Sequence, residues 1–215
     1  MLVWTIWYRR NKAKTSLPAM PLDLVPQRAF ESLMEFQTAQ LRKVSAPAIP
    51  RIRWTPPPGD FYKINFDAAV FQDDNRAGIG VIVRDSNSLV MSSLSQNIPL
   101  QNSVEELESL AACRAPEFSL ELGLDKGILE GDLLTVMAAL KDDSTSLASF
   151  GLLVRDAQSL ACLFNCICFL HVGRDGNAVA HNLARHARHV TGFSVWMEDV
   201  PIHTLVAYQA DFPIT

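Results

Sequence analysis

A surplus of positive charge is missing from this chain. Its 215 residues carry 19 lysines and arginines against 23 aspartates and glutamates, a formal net charge of −4. No overall positive field draws in nucleic acid, so a polyanionic partner must be held by a local basic patch or by metal ions. Long hydrophobic runs are absent too. None approaches the roughly 20 residues of a membrane-spanning helix, and no membrane association is expected. The apolar opening MLVWTIWY runs straight into Arg9-Arg10 without a basic leader or a small-residue cleavage site. It reads poorly as a secretory signal and better as the middle of a helix whose beginning is missing. Cysteine is scarce: Cys113 stands alone, and Cys162, Cys166 and Cys168 crowd into ACLFNCICFLH. That is not the even framework of a secreted disulfide fold. An intracellular, reducing compartment is expected, with nucleus and cytoplasm not distinguished. The three clustered cysteines and His171 have the right atoms for zinc, but their spacing matches no zinc knuckle. Strand alternation sends Cys166, Cys168 and Leu170 to one face, read as core.

What is present is ordinary for a globular protein: 48% apolar and 20% charged residues. Residues 1–55 are set apart by prolines at 18, 21, 26, 47 and 50. They leave two helical pieces, Leu2–Lys14 and Pro26–Lys43, the second striped by Phe30, Leu33, Met34 and Leu41. This is an appended helical arm, in which Arg9, Arg10, Lys12 and Lys14 read as exposed, solubilising charge. Trp54-Thr55-Pro56-Pro57-Pro58-Gly59 is a stiff linker. Residues 56–191 then form the main domain and 192–215 a tail.

The main domain opens on three strands. Phe61–Val70 alternates Tyr62, Ile64, Phe66 and Ala68 against Lys63, Asn65, Asp67 and Ala69, the mark of a half-buried strand. GIGVIVRD and SLVMSSLSQ follow, joined by the turn chemistry of Asp85-Ser86-Asn87. Ser103 as N-cap and Glu106 three residues on form a capping box. They start a helix that Gly123 ends and that contains Pro116, expected to cost about 3 kcal/mol unless a kink relieves it. Ile128–Glu130 is a strand, Leu133–Leu140 and Leu147–Leu163 are helices, Asn165–Val172 is a fifth strand, and Asn177–Val190 is a last helix. The order βββαβααβα is an α/β layer fold with a five-stranded mixed sheet flanked by helices.

Four side chains fall at element ends: Asp67 near the end of the first strand, Glu108 in the first turns of a helix, Asp132 after the fourth strand, and His181 in the first turns of the last helix. Such ends can meet at one rim of a sheet. Converging carboxylates repel, and a divalent cation between them relieves that repulsion. Mg²⁺ takes oxygen ligands and keeps waters and substrate phosphates in its shell. Two ions can activate a water and steady the leaving oxygen of a phosphodiester. Read alone, Asp132 could instead cap the helix that begins at Leu133, and His171 reads as a packed strand-end residue.

The stretches KINFDAAV, GIGVIVRDSNSLV, VEELESLAACRAPEFSLELGL, ILEGDLLTVMAAL and HVGRDGNAVAHNLARHA lie in order between Asp60 and Val190. Together they resemble the plant reverse-transcriptase-like branch of the type 1 ribonuclease H family. The arm LVWTIWYRRNKA resembles the segment preceding this domain in plant non-LTR retroelement polyproteins, and SVWMEDVPIHTLVAYQADF the family's short tail. The resemblance implies a ribonuclease H-like fold and cleavage of the RNA strand of an RNA–DNA hybrid, read by shape and 2′-OH contacts. It implies Asp67, Glu108 and Asp132 as ligands of Mg²⁺ or Mn²⁺, two ions in all. Glu108 is preferred to Glu105 and Glu106 for its spacing to Glu121-Leu122-Gly123. The fourth ligand position, normally aspartate, falls on His181, which joins the expected catalytic set. Arg174, Arg185 and Asn177 are the expected nucleic-acid contacts, while Arg188, with His186 and His189 nearby, reads as solvated helix face. The enzyme is expected as a monomer without a small-molecule cofactor. Two other readings stand beside it: a catalytically decayed nucleic-acid-binding domain of retroelement origin, and a protein-interaction scaffold.

Imidazole at the fourth position leaves three formal negative charges where the family has four, and imidazole suits Mn²⁺ better than Mg²⁺. Cleavage of a labelled hybrid is therefore expected to be slow in Mg²⁺ and faster in Mn²⁺. Equal, fast turnover in both ions would contradict this.

Overall fold

The computed structural model describes residues 2–15, 18, 20–41, 54–142 and 149–212. The chain divides into two units, Met1–Arg51 and Ile52–Thr215. Among the described residues no helix is long and apolar enough to cross a membrane. In the first unit, helix α1 (Leu2–Lys14) packs against helix α2 (Val25–Leu41). The Arg9 guanidinium donates to the Met20 carbonyl at 2.7 Å. The apolar stripe expected on α2 is corrected: Phe30, Leu33 and Met34 are exposed, and the smaller Val25 and Ala29, four residues apart, form the buried line. The side chain of Leu41, residues Arg42 and Lys43, and Pro47 and Pro50 lie outside the described residues.

The second unit is a mixed sheet between helices. Its strands are β1 (Tyr62–Phe71), β2 (Arg76–Arg84), β3 (Val90–Pro99), β4 (Lys126–Gly131), β5 (Cys166–His171) and β6 (Phe193–Met197), in the order β5-β4-β1-β2-β3-β6. The meander β1-β2-β3 is antiparallel, and β4 and β5 run parallel to β1. The helices are α3 (Val104–Glu121), α4 (Leu134–Lys141), α5 (Gly151–Ala161), α6 (Ala178–His186) and α7 (Leu205–Ala210). The expected start of α5 at Leu147 lies outside the described residues.

The sheet has six strands rather than five. Phe193–Met197, expected within a tail, pairs antiparallel with β3. Gly192, at φ +73°, turns the chain into this strand, and its carbonyl accepts from the Asn97 N–H at 2.7 Å. The backbone freedom of glycine permits that left-handed turn.

From Lys63 to Asp67, strand β1 is buried on both faces rather than half-buried. Ile64 and Phe66 pack with Ala111, Ala112, Ala115 and Phe118 of α3. On the opposite face α6 lies against the sheet, where Val179, Ala180 and Leu183 meet Ile82 and Val90. Ser103 accepts from the Glu106 N–H at 3.1 Å, as the capping signal requires, while the Glu106 carboxylate accepts from the Asn102 N–H at 3.3 Å. Pro116 is buried in α3, which runs unbroken to Glu121. The expected face of β5 is reversed: Ile167 and Phe169 pack on the core, and Cys166, Cys168 and Leu170 are exposed. An edge strand covered on one face only can bury just one of its two alternating sets.

Gly78 and Gly80 let α6 sit close on β2. A Cβ at Gly80 would overlap the backbone of Ala180, Leu183 and Ala184. Gly80→Ala is therefore expected to destabilise the domain by about 3 kcal/mol, as overpacking does, seen as a lower urea midpoint. Because Gly80 pairs directly with Asp67, an unchanged midpoint would mean that α6 is not seated as described.

Candidate metal centre

Parallel strands end at the same side of a sheet, and this sets the site. Asp67 lies mid-strand in β1, just past the last residue paired with β4, and Asp132 follows the end of the adjacent parallel β4. The first turns of α3 bring Glu108 over the same rim. One carboxylate oxygen from each of Asp67, Glu108 and Asp132 lies within 4.8 Å of the others. Asp67 is 3% exposed and Glu108 5%. The three line a cleft of about 400 Å³ together with Arg174, His181 and Asn182.

Three carboxylates in so small and dry a space cannot all be ionised without compensation. Burial above all, then the charges of Asp67 and Asp132, push Glu108 from its ordinary 4.5 up to about 9. Burial and Asp67 also raise Asp132, against the opposing pull of Arg174 and His181. Glu108 Oε2 is buried without a hydrogen-bond partner among the described residues. Three clustered carboxylates, one of them buried with an unpartnered oxygen, are a donor set that fits a hard divalent cation. Asp132 does not cap α4. The N-cap is Leu133, with no side-chain cap bond, so the carboxylate stays with the cluster.

His181 joins the site, with Nδ1 2.6 Å from Asp67 Oδ2 and its ring 53% exposed. That hydrogen bond, ahead of the opposing cost of burial, raises the pKa of the imidazole. When protonated, His181 offsets the charge of Asp67. Arg174 lies beside Asp132 at 3.7 Å but is 95% exposed, as a solvent-facing phosphate contact would be. Arg185 is exposed one turn along α6 from His181. His171 is exposed rather than packed, and its Nε2 lies 3.0 Å from the Asp132 carbonyl.

Asn177 is corrected. It is 1% exposed and therefore closed to nucleic acid. Its Nδ2 donates to the Phe66 carbonyl at 2.8 Å, and its Oδ1 accepts from Asn65 Nδ2 at 3.4 Å. It thus pins the start of α6 to β1, one residue before Asp67. Below it lies a buried polar network that the sequence reading missed. Asn65 Nδ2 donates to Glu130 Oε2 at 2.9 Å, and Lys63 pairs with Glu130 Oε1 at 3.0 Å. The Trp54 indole N–H and Arg84 Nη2 both donate to Asn65 Oδ1, at 2.9 and 3.2 Å. Arg84 stacks on Trp54 and pairs with Asp211 at 2.6 Å. The available signal was KINFD itself, where Lys63, Asn65 and Asp67 share one face. That face is buried by residues remote from KINFD: Trp54 and Thr55 before the strand, Glu130, and Asn177 ahead of α6.

The sequence profile of the family described as reverse transcriptase-like matches residues 65–187. No curated protein matches the chain. Among solved structures, RNase H1 from Halobacterium salinarum superposes with a TM-score of 0.55 at 22% identity, covering 60% of this chain and 98% of that one. The N-terminal RNase H domain of rv2228c from Mycobacterium tuberculosis gives 0.54 at 22%, covering 61% and 95%. LC11-RNase H1, in complex with an RNA/DNA hybrid, gives 0.50 at 20%, covering 59% and 95%. At these identities the likeness speaks for a ribonuclease H-like fold.

The raised Glu108 has a consequence for stability. The folded, ion-free protein keeps a proton there that the unfolded chain releases above about pH 4.5, so stability falls as pH rises toward 9. In a chelator, the thermal midpoint of the wild type is expected to drop between pH 6 and pH 8.5. Glu108→Gln is expected to flatten that drop and to raise the midpoint at pH 8.5. A flat wild-type profile would mean that Glu108 is ionised in the ion-free site.

Proposed function

This chain belongs to the reverse transcriptase-like family, and from that premise we propose that it is a metal-dependent endoribonuclease that cleaves the RNA strand of RNA–DNA hybrids. The observation that carries the reading is the convergence of Asp67, Glu108 and Asp132, with the buried Glu108 Oε2 lacking a partner. These three would hold Mg²⁺ or Mn²⁺, two ions in all, which when bound supply charge neutralisation at the phosphodiester and an activated water. The protein's own groups do the rest. Asp67 and Glu108 are fixed by burial in strand and helix. Arg174 reaches from the loop after β5 toward the phosphate chain. The His181 imidazole sits with Nδ1 2.6 Å from Asp67 Oδ2, and loss of its positive charge above its raised pKa weakens its hold on that carboxylate. Cleavage accordingly improves on the alkaline side of neutrality. The domain works as a monomer without an organic cofactor, and its origin is a plant non-LTR retroelement, whose arm and ribonuclease H segment it retains. Four unpaired cysteines support an intracellular, reducing setting.

The Asp67–His181 contact also favours a second reading, a hybrid-binding domain that no longer cleaves. There an imidazolium takes the place of an ion on Asp67 Oδ2.

One experiment separates the two. A labelled hybrid is incubated with wild type, Asp67→Asn and His181→Asp in Mg²⁺ and in Mn²⁺. The nuclease reading expects wild-type cleavage, its loss in Asp67→Asn, and a gain of about tenfold in Mg²⁺ for His181→Asp, equivalent to about 1.4 kcal/mol. Hybrid binding without cleavage by the wild type in either ion supports the second reading instead.

A further inference from the structure

A second concavity opens beside the metal centre. It is a groove of about 990 Å³ running from the end of β1 along the outer side of α6. It shares Ala68, His181 and Asn182 with the carboxylate cleft, so the two form one continuous surface. Beyond His181 its ionisable lining is basic: Arg185, His186, Arg188, His189 and His203. That is unexpected in a chain of net charge −4. Four of the five histidines of the whole sequence lie on this groove.

The three outer histidines form a cluster. The His186 ring centroid is 6.1 Å from that of His189 and 5.7 Å from that of His203, and the ring meets Trp196 edge-on at 5.5 Å. Arg185, exposed on α6, makes no ion pair among the described residues. Arg188 is held by Asp74 at 2.7 Å and lies 3.9 Å from Asp73. The charged groups facing the cluster are thus Arg185 and Arg188, and, through Arg188, the two aspartates of the β1–β2 turn. No carboxylate pairs with the three imidazoles among the described residues.

At His186 burial above all, then the neighbouring rings of His203 and His189, disfavours the charged form. A polyanion laid along the groove reverses the balance, because each phosphate favours the protonated ring. We propose that this groove holds the phosphate backbone of the RNA–DNA hybrid beyond the cleavage point, with Arg185 as a constant contact and His186, His189 and His203 as proton-dependent ones. The assignment of the hybrid rests on the nuclease reading, whereas the groove's affinity for a phosphate backbone does not. The cleft and the groove then ask opposite things of pH. Acid tightens grip along α6, while base frees the carboxylates.

The test is binding of a fluorescein-labelled RNA–DNA hybrid by anisotropy in a chelator, so that no cleavage occurs. It compares wild type, Arg185→Ala and the double variant His189→Ala/His203→Ala between pH 5.5 and 8, at several salt concentrations. Wild-type affinity is expected to rise about tenfold from pH 8 to pH 5.5. The double variant, which retains His186, should keep at most about threefold. Arg185→Ala should keep the pH response and lose about one unit of the salt slope. A wild-type affinity independent of pH, a double variant that responds as the wild type does, or no binding at all would overturn the proposal. A thermal midpoint for each variant separates unfolding from lost contact. Binding that follows this pattern in a protein that cleaves in neither Mg²⁺ nor Mn²⁺ would sustain the groove and remove the nuclease. Cleavage with pH-flat binding would do the reverse.

Discussion

Side by side and running the same way, β1 and β4 bring Asp67 and Asp132, each two residues past the last β1–β4 pair, to one rim, while β1 runs on beside β2 to Phe71. Glu108 arrives over the same rim because α3 begins after the meander has returned the chain to that end. The approach of these three carboxylates is electrostatically unfavourable, more so because two are nearly dry. A fold that keeps them together holds them by its frame: the parallel ladder on one side, the α3 cap on the other, and a core of Ile64, Phe66 and Leu129 beneath. Protonation of Glu108 and the imidazole against Asp67 are how the ion-free protein relieves the repulsion.

Beneath the rim, the polar network around Asn65 couples the parts that must agree on position. Asn65 touches Glu130 of β4, Asn177 at the start of α6, Trp54 before β1 and Arg84 of β2. A buried network of this kind is costly when any member is missing, since each remaining group loses its partner in a medium that offers no water. It therefore fixes the placement of α6, and with it His181, more sharply than apolar packing alone would.

Much of the architecture could be read from residue order. Turn chemistry at Asp85 and Asn87, the cap at Ser103 and the stop at Gly123 are local signals, and the structure uses them locally. The acids at element ends could be named for the same reason. What escaped depends on neighbours remote in sequence. Asn65 and Lys63 look like solvent-facing residues until Trp54 and Thr55, Glu130 and, more than 100 residues later, Asn177 close over them. Cys166 and Cys168 look like core until β5 proves to be an edge with one covered face. Asn177 looks like a helix-start polar residue able to meet nucleic acid, and its amide instead donates to the Phe66 carbonyl. The sixth strand is only five residues long, and its pairing depends on where β3 lies, which FSVWM does not disclose.

The Arg84–Asp211 pair has one more consequence. Trp54 and Asp211 stand at opposite extremes of the second unit, yet both close on the same guanidinium, one by its ring and the other by its carboxylate. The two ends of the fold are thereby latched to each other through a charge that has no contact with solvent. The stretch 65–187 matched by the family profile contains Arg84 but neither of the two residues that close on it, so the seal over that guanidinium is contributed from outside the matched span.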